Sequence, residues 1–288
     1  MEAVDLLKKV RKIEIKTRGL TSQVFAGEYH SAFKGKGMTF SEVREYQYGD
    51  SIRNIDWNVT ARFGHPYVKI FEEERELTVI LIIDVSASKI FGTDTQYKKD
   101  LITELAAVLS FSAIQNNDKI GVILFSDRVE KFIPPKKGKK HILRIIRDLL
   151  EFKPEHKGTN IAEALHFFTN AIKKKSTAFL ITDFIDEGYE KALQIANNKH
   201  DVIAIKVYDK REAELPDVGL LKLIDSETGD CRWVDTSDNK TRSEYKKWWQ
   251  KNDSYQKEIF SKYGVDNISI NTGQDYIRPL IGLFKKRG

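Results

Sequence analysis

Four short runs of apolar, largely β-branched residues recur along the middle of this chain, at 77–85, 119–125, 178–181 and 201–208. They lack the alternation of a half-exposed strand and read as strands buried on both faces. Between them, apolar positions return at helical spacing: Leu101, Leu105, Val108 and Ile114 within 97–115, then Ala162, Leu165 and Phe168 within 161–173. Further helices are predicted over 142–152 and 192–198. Asn116-Asn117-Asp118 stops the first helix. Residues 129–133 alternate and predict a hairpin against the second strand, ending at Pro134-Pro135. Strands alternating with helices across connections of crossover length predict an α/β fold: a doubly wound, mostly parallel sheet with helices on both faces. Ligands of such sheets bind beyond the carboxyl ends of the strands. Asp84, Asp127, Asp183 and Asp209 all stand at such ends.

The flanks read differently. Residues 4–16 pass from helical spacing to an Ile13/Ile15 alternation. Gly35 and Gly37 mark a backbone turn, because neither nucleotide-loop fingerprint is satisfied. Residues 67–71 alternate as a strand, and the acidic stretch 72–76 is a solvated connection. After Pro216 a short hairpin pair is predicted at 221–224 and 232–234, a long polar helix over 241–263, a strand at 268–270 and a closing helix over 276–284. The hairpin and the last strand are expected to extend the sheet, and the Trp248-Trp249 pair to serve packing. Three segments result: 1–76, packing on the core; 77–210, the α/β domain; and 211–288, a C-terminal extension of the same globule.

Composition narrows the setting. The chain has 288 residues, 41% hydrophobic and 31% charged, enough for a substantial core. Its net charge of +6 favours acidic partners without by itself implying nucleic acid. One cysteine, Cys231, excludes an internal disulfide and fits a reducing cytoplasm. No signal peptide and no apolar run of membrane-spanning length is evident, so a soluble cytoplasmic protein is expected.

Chemistry concentrates at Asp84-x-Ser86-x-Ser88. An ionised acid at the mouth of an apolar strand must be paired, hydrogen-bonded or metal-bound. With two hydroxyls and no His or Cys it forms a hard-oxygen set suited to Mg²⁺, Mn²⁺ or Ca²⁺. A strand end with a serine capping the next helix is the plainer reading. A basic stretch, Lys136, Lys137, Lys139 and Lys140 with Arg144 and Arg147, is a candidate anion-binding patch. It lacks the interleaved aromatics that stack on bases, so nucleic acid is not the expected partner. Arg44, Tyr46, Gly49, Asp50, Arg53, Asp56, Trp57 and Arg62 form a dense, charge-balanced segment, expected to fold as a collar held by Arg–Asp pairs and aromatic packing. Catalysis is not expected. A phosphoester hydrolase built on Asp84 needs a second acid two positions on, where Ser86 stands, and the histidines show no zinc spacing.

Asp84-x-Ser86-x-Ser88, Gly158-Thr159-Asn160 and Thr182-Asp183 together resemble the von Willebrand factor A fold and its metal-ion-dependent adhesion site over about residues 77–210. The pattern from Gly35 through Arg44, Tyr46, Gly49-Asp50, Arg53, Asp56-Trp57 and Arg62 resembles the signature of the family called "domain of unknown function 58". The resemblance implies a single divalent cation, Mg²⁺ or in its place Mn²⁺ or Ca²⁺. Ser86, Ser88 and Thr159 would offer it hydroxyls, with Asp84 and Asp183 acting largely through bound waters. A partner's carboxylate would complete the coordination. It also implies work beside a MoxR-type AAA+ ATPase in protein maturation. Lys89 and Phe184 depart from the usual neighbours of that site.

Overall fold

The computed structural model describes residues 10–14, 29, 39–72, 77–87, 92–93, 96–224 and 229–287. Strand β1 (Thr39–Glu45) pairs antiparallel with β2 (Tyr67–Glu72), and helix α1 (Trp57–Phe63) lies between them in sequence. The α/β core then runs β3 (Thr78–Asp84), the two-residue strands β4 (Gly92–Thr93) and β5 (Gln96–Tyr97), α2 (Lys98–Gln115), β6 (Lys119–Phe125), β7 (Val129–Lys136), α3 (Lys139–Glu151), α4 (Ile161–Ala171), β8 (Thr177–Thr182), α5 (Glu190–Lys199) and β9 (Asp201–Tyr208). The chain closes with α6 (Lys210–Ala213), the hairpin β10 (Leu220–Ile224) and β11 (Cys231–Asp235), α7 (Asn239–Lys262), β12 (Asp266–Asn271) and α8 (Ile277–Arg287).

Six strands form the central sheet in the order β12-β9-β8-β3-β6-β7. All neighbours are parallel except the edge strand β7, which hairpins back on β6. The doubly wound architecture expected from the sequence is therefore the one observed. The chain leaves β3 toward β6 on one side and later fills β8 on the other, so the topological switch point lies between β3 and β8.

Alternation along the strands divides the core. Val79, Leu81 and Ile83 join Leu101, Leu105, Ile142, Ile145 and Phe284 on the face covered by α2, α3 and α8. Ile80 and Ile82 join Leu165, Phe168, Leu193 and Phe260 on the face covered by α4, α5 and α7. Each fully buried aliphatic side chain contributes on the order of 1.5–3 kcal/mol. The unbroken apolar run of β3 is thus the consequence of two covered faces. Asp118 ties its start, accepting from the Leu77 N–H at 2.9 Å, after Asn117 turns through a φ of 60°.

Several expectations need correction. The predicted last strand joins the sheet as β12, but the β10–β11 hairpin forms a two-stranded sheet of its own. Strand β7 continues through Pro134-Pro135 to Lys136, where its pairing with β6 shifts register between Ile120 and Val122, an edge-strand irregularity of the kind that tolerates proline. Helix α3 begins at Lys139, so Lys139 and Lys140 are helical and only Lys137 and Gly138 remain between the elements. The tryptophan pair does serve packing, Trp249 on Tyr208 at 5.7 Å between centroids and Trp248 on Tyr245 at 5.5 Å, though Trp248 keeps an exposed face. The stretches around Ile15, Gly35–Gly37 and residues 73–76 lie outside the described residues.

Candidate functional site

Strand β3 delivers Asp84 to the carboxyl rim with 1% of its surface exposed. Its Oδ1 accepts from the Ser86 N–H at 2.9 Å and its Oδ2 from the Thr182 hydroxyl at 2.6 Å. The first bond turns the chain directly after the strand. The second crosses the switch point and joins the ends of β3 and β8. Backbone bonds then stitch the neighbouring loops together. The Val85 N–H donates to Phe125 O at 2.8 Å, the Ala87 N–H to Lys157 O at 3.1 Å and the Asn160 N–H to Ser126 O at 2.8 Å.

Thr159, half-buried, sits between two of these stitched positions. Asn160 caps α4 through Glu163 N–H, and Asp186 reaches across from the loop after β8 to accept from the Ile161 N–H at 2.8 Å. The loops after β3, β6 and β8 and the start of α4 therefore meet on one rim. Ser88 and Lys89 lie outside the described residues.

Asp183 is 3% exposed and lies 3.5 Å from the Nζ of Lys98, a lysine with no exposed surface that also pairs with Glu212. Phe184 follows at a φ of 58°, a left-handed conformation that costs a residue with a Cβ roughly 1–2 kcal/mol. Its ring meets Phe260 edge-on at 5.0 Å, and its carbonyl accepts from Gln256 Nε2 at 2.8 Å. Helix α7 thus holds the strained turn that aims Asp183. Burial, reinforced by the nearby carboxylates of Asp84 and Asp183, raises the Asp186 pKa. Three acids feel one another here.

Asp127 and Asp209 do other work. Asp127 is partly exposed beside Arg128 and His156. Asp209 is fully buried, caps α6 in a capping box with Glu212 and accepts from the Thr272 hydroxyl. Sequence reasoning missed Lys98, the Thr182 bond and Asp186. A lysine in the first turn of a helix runs against the helix dipole, and that mismatch was the available signal for Lys98. The bonds of Thr182 and Asp186 join positions far apart in sequence and carry no local signal.

Among the described residues, no group of three or more His, Cys, Asp or Glu is arranged to hold a metal ion. A cation here would rely on hydroxyls as well as carboxylates. Ser86, Thr159, Asp84 and Asp183 offer that hard-oxygen mixture.

The basic patch is partly spent on internal pairs. Arg144 and Arg147 both face Asp148, at 3.8 and 3.6 Å, and Lys139 pairs with Glu14 at 2.7 Å. Lys136, Lys137 and Lys140 are exposed. In the collar, Arg44 grips Asp50 with two 2.8 Å bonds, Gly49 turns at a φ of 108°, and Asp56 caps α1 and faces Lys69 at 3.4 Å. The Tyr46 N–H donates to Pro66 O. The expected aromatic packing is not what holds it: Trp57 and Tyr48 are exposed, as are Arg53 and Arg62.

The fold and rim define a doubly wound α/β domain with an oxygen-rich candidate site at its switch point. Residues 42–255 match the family model described as "Protein of unknown function DUF58", and the chain belongs to that family. An uncharacterized protein of Mycobacterium tuberculosis, Rv1480, is 31% identical over 226 residues, which span 77% of this chain and 71% of that protein. Among solved structures, an aerotolerance-related membrane protein from Bacteroides fragilis covers 73% of this chain and 99% of its own, at 17% identity and a TM-score of 0.52, a likeness of fold. The conserved hypothetical protein BatB from Bacteroides thetaiotaomicron covers 73% of this chain and 98% of its own, with 16% identity and a TM-score of 0.48.

Proposed function

We propose that this protein is a non-enzymatic binding module of von Willebrand factor A type that docks an acidic group of a partner protein through a divalent cation. Asp84, Ser86, Ser88, Thr159 and Asp183 would hold the cation, with Mg²⁺ the best fit to hard oxygens and Mn²⁺ or Ca²⁺ as substitutes. The observation that carries the reading is the convergence at the switch point: Thr182 joined to Asp84, and Thr159 held between two inter-loop backbone bonds. When bound, the cation supplies an incompletely neutralised positive charge, because hydroxyl ligands are neutral. This chain's residues set the site's shape: Ser86 N–H and Thr182 orient Asp84, and Lys98 steadies Asp183. Ser86, where a hydrolase would need a second acid, argues for docking over catalysis.

The family resemblance suggests a MoxR-type AAA+ ATPase and its clients as partners, in protein maturation or complex assembly. A single cysteine fits action in the cytoplasm. No described helix is long and apolar enough to cross a membrane. The test is calorimetric titration with MgCl₂ and capture of a purified MoxR-type AAA+ ATPase. Thr159→Ala is expected to weaken cation binding about tenfold or more, and EDTA to abolish capture. Capture that survives both EDTA and Thr159→Ala would refute the cation-mediated reading.

A further inference from the structure

A cavity of about 440 Å³ lies behind the Asp84–Ala87 turn. Its walls show which side of the sheet it occupies. Ile83, Ile102 and Leu149 line it, and all three belong to the core face beneath α2 and α3. Asp84 follows Ile83 in the alternation of β3, and its carboxylate is bonded to Thr182. The cavity therefore adjoins the candidate cation site: Asp84 and Ser86 belong to both, while the rest of the lining lies on the α2/α3 side of the sheet. Its volume falls within the roughly 300–1,000 Å³ of small-molecule sites.

The chemistry of the lining is one-sided. The inner wall is apolar, completed by Val85, Phe152 and Pro154. Lys99, Lys153, His156 and Lys157 add basic groups, and Ser86 and Thr103 add two hydroxyls. Lys153 and Lys157 are exposed, which places them at the mouth. Lys99 Nζ donates to Phe152 O at 3.0 Å, and the Ala87 N–H to Lys157 O, so both sides of the opening are tied to the scaffold. The single acid of the lining, Asp84, already accepts from Ser86 and Thr182. An apolar chamber with lysines at its mouth selects a ligand with an apolar body and one anionic head. Ammonium groups at the opening attract that head without requiring the two-pronged geometry of a guanidinium.

We infer that this cavity is a binding site for a small amphiphilic anion, a medium-length alkyl carboxylate being the simplest member of the class. The inference goes beyond the cation-docking reading and does not depend on it: the two sites share Asp84 and Ser86, but the groups proposed to hold the tail and the head are the apolar wall and the lysines, and no cation is needed.

The experiment is calorimetric titration of the full chain with decanoate in EDTA, with displacement of 8-anilinonaphthalene-1-sulfonate as a second readout. One saturable site is expected. Decanol, with the same tail and no charge, should bind about tenfold more weakly, as should decanoate to the Lys153→Glu/Lys157→Glu variant. Both positions are on the surface, so an unchanged thermal transition is expected for that variant. Lys136→Glu/Lys137→Glu, a reversal of two exposed lysines at the end of β7 that are not part of the lining, should leave decanoate binding intact. The assignment is overturned by absence of saturable binding, by equal affinity for decanol, or by indifference to the Lys153/Lys157 reversal. Since EDTA is present throughout, failure of cation binding leaves these outcomes unaffected.

Discussion

Lys98 is the residue that ties the rim together. A buried ammonium between Asp183 and Glu212 is stabilising only while both partners remain, because desolvation consumes much of the attraction. Lys98→Met leaves Asp183 buried without its counter-ion and is expected to cost about 3 kcal/mol or more in urea denaturation. If the rim holds a cation, millimolar MgCl₂ should raise the melting temperature of this variant more than that of the parent, since the metal takes over the ammonium's role. Equal responses would reduce Lys98 to a structural ion pair. His200 offers a pH test. Burial first, then the charges of Lys199 and Lys175, hold its pKa down to about 4. Its Nδ1 meets the Ser176 hydroxyl at 3.1 Å, and its ring lies against Phe168. The unfolded chain takes up this proton near pH 6.5, whereas the folded chain does so only near 4. Stability should therefore fall as pH drops from about 6.5 to 4, by on the order of 3 kcal/mol, and level off below. His200→Gln should flatten that segment of the urea-midpoint profile, and an unchanged slope would assign it to other groups.

At the scale of elements, β6 shows how one small residue permits a strand pair. A Cβ at Gly121 would meet Ile133 O, Pro135 N and Ile80 Cδ1, each at 3.0 Å. Two of those atoms are backbone and cannot rotate away. Gly121→Ala is expected to destabilise by about 1–3 kcal/mol through overpacking, read as a lowered urea midpoint at unchanged slope. A neutral result would mean that β7 shifts freely at its proline pair. The strained turn at Phe184 is a second case. Its left-handed backbone survives because α7 packs on the ring and bonds the carbonyl. Elements distant in sequence thus set the direction of Asp183. The collar is a third. Its Arg–Asp pairing was readable from residue type, whereas the helix α1 capped by Asp56 and the outward setting of Trp57 and Tyr48 were not. Arginine and aspartate carry their geometry with them, but an aromatic ring packs against whatever the rest of the fold brings near.

For the whole molecule, periodicity sufficed to define the class. Runs of apolar β-branched residues such as 78–84 admit few fates besides a doubly covered strand, and crossover lengths then require parallel neighbours with helices on both faces. The acids Asp84 and Asp183 were legible for the same reason, since a strand end is marked where the apolar run stops. Hydroxyl pattern and family resemblance pointed to Ser86 and Thr159 as companions. Tertiary structure alone decided that Thr182 joins β3 to β8, that Lys98 sits buried among the acids, that the β10–β11 hairpin stands apart while β12 completes the sheet, and that a cavity with a basic mouth lies behind the Asp84 turn. The physical reason is common to all four. Local patterns record whether a residue faces water or core, while partners across the switch point are chosen by packing between segments as much as 114 residues apart, as Lys98 and Glu212 are.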